Sequence, residues 1–132
     1  MLKALLAAII AALVTYAGEL VGTAHAAAPA SATVDMANFS FNPTQLQLHA
    51  NTLTTLQLHN TSSGGHSFSA PAFFAAARIE PGSAGLVHDG KVEIPGRSTV
   101  QVALIPAAGQ YPLKCSHTLH AAFGMKGTII VR

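Results

Sequence analysis

From Thr33 onward the chain reads as short runs of alternating apolar and polar residues cut by turn signals. Gln45-Leu46-Gln47-Leu48-His49 and Thr55-Leu56-Gln57-Leu58-His59 alternate strictly, with Asn51-Thr52 between them as a turn. Period-two alternation sends every second side chain to the same face, so these runs predict strands with one side on a core and the other in water. Val34, Met36, Phe39 and Phe41 are assigned to a first strand that Asn42-Pro43 ends. Val100, Val102 and Leu104 alternate with Gln101 and Ala103. Tyr111, Leu113 and Cys115 share one face of a strand that starts at Gly109, and residues 127–131 close the chain. Asp89-Gly90, between Leu86-Val87-His88 and Lys91-Val92-Glu93-Ile94, is a hairpin turn signal. Residues 69–90 are the least strand-like part, where Phe73 to Glu80 could form two helical turns stopped by Pro81-Gly82. Seven or eight short strands with one small helical or irregular insert predict an all-β chain, an antiparallel β-sandwich.

The N-terminal residues follow another pattern. Met1-Leu2-Lys3 starts positive, Ala4 to Val14 is apolar, and Ala24-His25-Ala26 closes on small residues. That is the layout of a secretory signal peptide over residues 1–26, followed by a flexible leader at 27–32 and one domain at 33–132. Thr15, Gly18 and Glu19 interrupt the apolar run short of the roughly 20 residues a bilayer span needs, so no membrane span is expected in the mature form. Retention as an uncleaved anchor is the alternative. The expected location is the periplasm.

Removing 26 residues from 132 leaves 106, enough for one domain with one modest core. The net charge of +2 and the absence of any lysine or arginine run argue against nucleic-acid binding. The cysteine count changes the picture more. A single Cys in an exported chain has no internal disulfide partner, and a free thiol is a liability in an oxidising compartment. Occupation by a metal would account for it.

The metal chemistry is concentrated between Tyr111 and Lys126, which hold Cys115, His117, His120 and Met125. Thiolate, imidazole and thioether at short spacing suit a soft, redox-active metal, copper above all. A further imidazole is available from His66, which emerges from the loop Asn60-Thr61-Ser62-Ser63-Gly64-Gly65 at the start of a strand. His49 and His59 lie in the polar register of their strands and His88 flanks a turn, so all three read as surface residues. If the chain near Cys115 is extended, His117 lies about 6.6 Å further along it. That favours His120 as the second imidazole and leaves His117 as a group behind the ligands or on the entry path. Cysteine and methionine are also ordinary core fillers, which is the plain alternative for Cys115 and Met125.

Gly109-x-Tyr111-x-x-x-Cys115, Cys115-x4-His120, His120-x4-Met125 and Gly127 before the last strand together resemble the type 1 copper loop of the cupredoxins, the plastocyanin and azurin family. Asn60 through His66-x-Phe68 resembles the region of that family's first ligand, and Gly96 before Thr99 to Val102 its penultimate strand pair. The loop departs from relatives in lacking a Pro or Gly between Cys115 and His120, with His117 there instead. The resemblance implies a cupredoxin-like Greek-key sandwich, with His66, Cys115 and His120 as equatorial ligands and Met125 as the axial ligand of one type 1 copper ion.

The function so implied is a one-electron carrier cycling Cu(II) and Cu(I), with periplasmic copper binding or trafficking as the alternative. An enzyme is not expected. Lys114 and Ser116 flank Cys115 where a multicopper oxidase would place histidines, and Asp35, Glu80, Asp89 and Glu93 lie in no nucleophile motif. A monomer is expected, docking transiently with a redox protein through the edge of His120 and its neighbours Leu119, Ala121, Ala122 and Phe123. No acidic or basic run adjoins that loop, which predicts little electrostatic steering.

Overall fold

The computed structural model describes Gly22 and residues 27–132; the remainder of the expected signal segment 1–26 lies outside the described residues. Ten strands form two five-stranded sheets, the β-sandwich that the alternation implies. In chain order they are β1 (Ala30–Ala37), β2 (Ser40–Asn42), β3 (Gln45–Leu48), β4 (Thr54–Asn60), β5 (His66–Ser69), β6 (Arg78–Ile79), β7 (Lys91–Ile94), β8 (Thr99–Ile105), β9 (Gly109–Lys114) and β10 (Lys126–Val131). One sheet runs β2-β1-β4-β8-β6 and the other β3-β10-β9-β5-β7. A six-residue helix α1 (Pro71–Ala76) and a 3-10 turn (Ala84–Leu86) fill the insert between β5 and β7.

Three expectations need correction. The sheets are mixed, because β1 runs parallel to β4 and β3 parallel to β10, while the other pairs are antiparallel. The strand count exceeds seven or eight because the expected first strand is a hairpin and because Arg78–Ile79, inside the stretch expected as helical, pairs with β8 as the strand β6. Phe39 sits at φ 64° in the turn between β1 and β2, so it leaves the core register. Thirdly, β1 reaches back to Ala30, into the stretch expected as leader, since Ala30 to Ala32 pair with Thr54 to Leu56 of β4.

The core follows the alternation closely. Leu46 and Leu48 of β3, Leu56 and Leu58 of β4, and Val102 and Leu104 of β8 are buried, whereas Gln45, Gln47, His59 and Gln101 are exposed. Helix α1 is short of its two expected turns, yet it buries Phe73 and Phe74. Phe74 meets Phe68 edge-on at 6.0 Å, and Phe68 in turn meets Phe41 at 6.2 Å. Edge-to-face aromatic packing of this kind adds about 0.5–1.5 kcal/mol per pair beyond area burial. Asp89 and Gly90 both have positive φ, and His88 and Lys91 exchange backbone hydrogen bonds across them, the primed turn that Asp-Gly favours. Among the described residues no helix is long and apolar enough to cross a membrane.

Sheet order decides where the chemistry meets. Strands β10, β9 and β5 are neighbours, so the end of β9, the start of β10 and the start of β5 lie side by side at one end of the sandwich.

Candidate metal centre

His66 is the first residue of β5, Cys115 directly follows β9, and Met125 directly precedes β10. The ladder between β9 and β10 continues one step past its last strand pair, with the Cys115 N–H donating to the Met125 carbonyl at 3.1 Å. Between them the chain folds as a run of tight turns. The N–H of His120 donates to the carbonyl of His117, that of Phe123 to Leu119, and that of Met125 to His120. Gly124, at φ 100°, allows the chain to turn back into β10, a conformation that side chains strongly disfavour.

These turns bring three donors together. The Nδ1 atoms of His66 and His120 are 3.2 Å apart, and the Cys115 sulfur lies 3.9 Å from the first and 3.4 Å from the second. A triangle with those sides has a circumradius of about 2.0 Å, within the range of first-row metal bonds to imidazole nitrogen and close to that for thiolate sulfur. Three lone-pair-bearing atoms converging on one point are satisfied together by a cation, so the residues present fit a metal ion. Met125 is fully buried beside them, fixed by its backbone bonds to Cys115 and His120.

Cys115 and His66 are each 1% exposed, and His120 is half-buried. Burial holds the His66 imidazole below its ordinary pKa, and the nearby rings of His120 and His117 act in the same direction. The ring is therefore neutral and ready to ligate at physiological pH. Its Nε2 is buried with no hydrogen-bond partner.

His66 is delivered by a braced loop. Asn60, fully buried at the end of β4, donates through Nδ2 to the carbonyls of Gly64, Ile94 and Pro95 and accepts from the Ser62 N–H and hydroxyl. Gly96 completes the brace, since a Cβ there would stand 2.0 Å from the Ser63 carbonyl oxygen. The Asn60 amide thus ties the loop before β5 to the end of β7, and so to the strand paired with His66.

Of the residues singled out from sequence, His66, Cys115 and His120 form one donor group, with Met125 beside it, and His117 stands apart from the group. The reason differs from the one expected. The chain after Cys115 turns rather than extends, and the His117 ring comes within 5.4 Å of the His120 ring and 6.4 Å of His66. What engages it is Glu93, whose carboxylate lies 2.8 Å from His117 Nε2. His49, His59 and His88 are exposed and do not belong to the donor group, with His59 paired to Asp35 at 3.0 Å.

Two residues the sequence reading missed also belong here. Ser67 points its N–H at the Cys115 sulfur from 3.4 Å, and its hydroxyl oxygen accepts the Ser116 N–H at 2.7 Å. Phe39 packs edge-on against the His120 ring at 5.3 Å and against Phe123 at 5.2 Å. Nothing local marks either residue.

A family model described as a cupredoxin-like domain matches residues 5–131. No curated protein matches the chain in sequence. Among solved structures, auracyanin A, a blue copper protein from Chloroflexus aurantiacus, is similar at 18% identity and a TM-score of 0.58, covering 80% of this chain and all of that one. Auracyanin B is similar at 21% identity and a TM-score of 0.56, covering 78% of this chain and 88% of that one. The auracyanin of Roseiflexus castenholzii is similar at 15% identity and a TM-score of 0.56, covering 81% and 98%. At these identities the likeness concerns the fold. With the family model and the donor group together, the set of His66, Cys115, His120 and Met125 matches a type 1 copper site.

Proposed function

The chain belongs to the cupredoxin family, and from that premise we propose that it is an exported one-electron carrier in which His66, Cys115 and His120 would hold one copper ion, with Met125 as a fourth and weaker donor. Copper bound there supplies the Cu(II)/Cu(I) couple. The observation that carries the reading is the triangle of two imidazole nitrogens and one sulfur, with sides of 3.2, 3.4 and 3.9 Å.

The contributions of the chain follow from its packing. Strand ends and the Asn60 brace hold the donors before any ion arrives, so little rearrangement accompanies a change of charge at the site. Burial of Cys115 and Met125 keeps water from the sulfur donors. The Ser67 N–H places a partial positive charge against the thiolate, a contact of the kind that tunes a copper site's potential.

His120 is the exit. Its half-buried ring is surrounded by Phe39, Leu119 and Phe123, which are 41%, 62% and 63% exposed. An exposed apolar patch of this kind suits brief docking with a redox protein, because transient redox interfaces sit at the small end of the range. Export to the periplasm rests on the signal-like residues 1–26.

The test is spectroscopic. The oxidised, copper-loaded protein is expected to show an intense thiolate-to-copper absorption, a type 1 electron paramagnetic resonance signal and reversible one-electron voltammetry. Cys115→Ser abolishes the absorption, and Met125→Gln keeps copper while shifting the potential. Colour surviving in Cys115→Ser, or copper that binds but never cycles, rules out the carrier; the latter result favours copper binding or trafficking.

A further inference from the structure

Every lysine after residue 26 lies in one row across the outer face of the ligand-bearing sheet. The strand registers pair Lys91 with Ser69, Ser69 with Lys114, and Lys114 with Lys126. Directly paired residues share a face, and four strands spaced about 4.8 Å apart make the row about 15 Å long. Lys114 and Lys126 are exposed and form no ion pair among the described residues. Lys91 is half-buried, 3.5 Å from Glu93 and 3.4 Å from the Ser116 hydroxyl.

Like charges directly opposite on neighbouring strands destabilise a sheet. Lys114 and Lys126 are such a pair, at the last step of the ladder before Cys115 and Met125. The placement therefore costs stability next to the candidate centre, while the four acids of residues 27–132 (Asp35, Glu80, Asp89 and Glu93) leave these two lysines unmatched. A cleft lined by Ser69, Pro71, Pro112, Leu113, Lys114 and Lys126 runs beneath the row, so the two ammonium groups border apolar surface rather than an open field. At its β10 end the row adjoins the loop that carries His120, since Lys126 directly follows Met125 and its N–H donates to the Gly124 carbonyl at 2.8 Å.

We infer that this lysine row is a docking surface for a redox protein that presents a cluster of carboxylates. The inference rests on the carrier reading and names its partner's chemistry. Charge complementarity on a row beside an apolar patch supplies what a transient electron-transfer encounter requires: steering from the charges and a short-lived contact from the patch. Three lysines beside an exposed Glu93 form a narrow strip that matches another protein's surface better than a broad anionic lipid face.

The test is a nuclear magnetic resonance titration of the protein with poly-L-glutamate at low ionic strength. Amide shifts are expected on Ser69, Lys91, Lys114, Lys126 and their neighbours, with binding weakened about tenfold in Lys114→Gln/Lys126→Gln and on raising the salt to physiological strength. The same loss of charge in Arg97→Gln/Arg132→Gln leaves binding unchanged, and the spectra themselves report that each variant is folded. Shifts centred elsewhere, equal binding by the two double variants, tighter binding to phosphatidylglycerol vesicles than to polyglutamate, or concentration-dependent self-association through the row would each overturn the proposal. The titration runs equally well without copper. Its failure therefore removes the docking row alone, whereas a redox-silent protein that still binds polyglutamate removes the carrier reading and with it the redox nature of the partner.

Discussion

Ser67 and Cys115, forty-eight positions apart, are joined by an N–H that reaches the sulfur at 3.4 Å, while the Ser67 hydroxyl accepts the N–H of Ser116 at 2.7 Å. One residue therefore fastens the strand that begins with His66 to the loop that carries the other donors. Ser67→Ala removes the hydroxyl and takes away the acceptor of the part-buried Ser116 N–H, a loss of about 0.5–1.5 kcal/mol. The N–H to sulfur contact is backbone and survives. The expected result is a lower denaturation midpoint with the thiolate absorption retained, read by chemical denaturation and optical spectra of the same samples.

His117 and His120 offer a direct choice. Because Glu93 engages His117 while the His120 Nδ1 faces both His66 and Cys115, His120→Ala should lose the absorption and His117→Ala should keep it. The pattern reversed in the optical spectra would make His117 the ligand.

Phe39 and Phe123 cover the approach to His120. Charging that surface should hinder association without touching the donors. Phe39→Asp/Phe123→Asp is expected to slow electron self-exchange by about tenfold or more, since like charges across an interface cost several kcal/mol. The potential should move little. Line broadening in mixtures of oxidised and reduced protein measures the rate, and an unchanged rate would place the exit elsewhere.

The copper-free protein should lose stability on acidification. His66 is held below its ordinary value of 6.5, chiefly by burial and then by His120 and His117. Below that value the unfolded chain takes up a proton that the folded chain refuses, so unfolding becomes easier as pH falls toward the folded pKa, and the full contribution is present above 6.5. Urea titrations across this range should show the slope, and His66→Gln should flatten it. An equal slope in the variant would assign the effect to other groups.

Much of the architecture was legible in the chain because it is written at short range. Alternation in residues 45–48 and 54–60 marked half-buried strands, Asp89-Gly90 marked its turn, and the spacing from Cys115 through His120 to Met125 lay within one loop. Phe39 misled because its place in the alternation looked like core, and only a turn with positive φ revealed that the chain reverses there. The parallel pairings of β1 with β4 and β3 with β10 join segments whose order along the chain carries no mark of direction.

The sequence by itself determined which donor atoms are available and that three of the four proposed ones, Cys115, His120 and Met125, share a loop between two strands. Only the tertiary structure decided that His66 completes the triangle, that Ser67 and Asn60 brace it, and that Glu93 takes His117. It also decided which charges stand beside one another near the site. Lys91, Lys114 and Lys126 form no run in sequence, yet strand pairing sets them side by side. The physical reason is the same in each case: local patterns fix which face a residue takes, while sheet order and register fix its neighbours, and those depend on segments far apart along the chain.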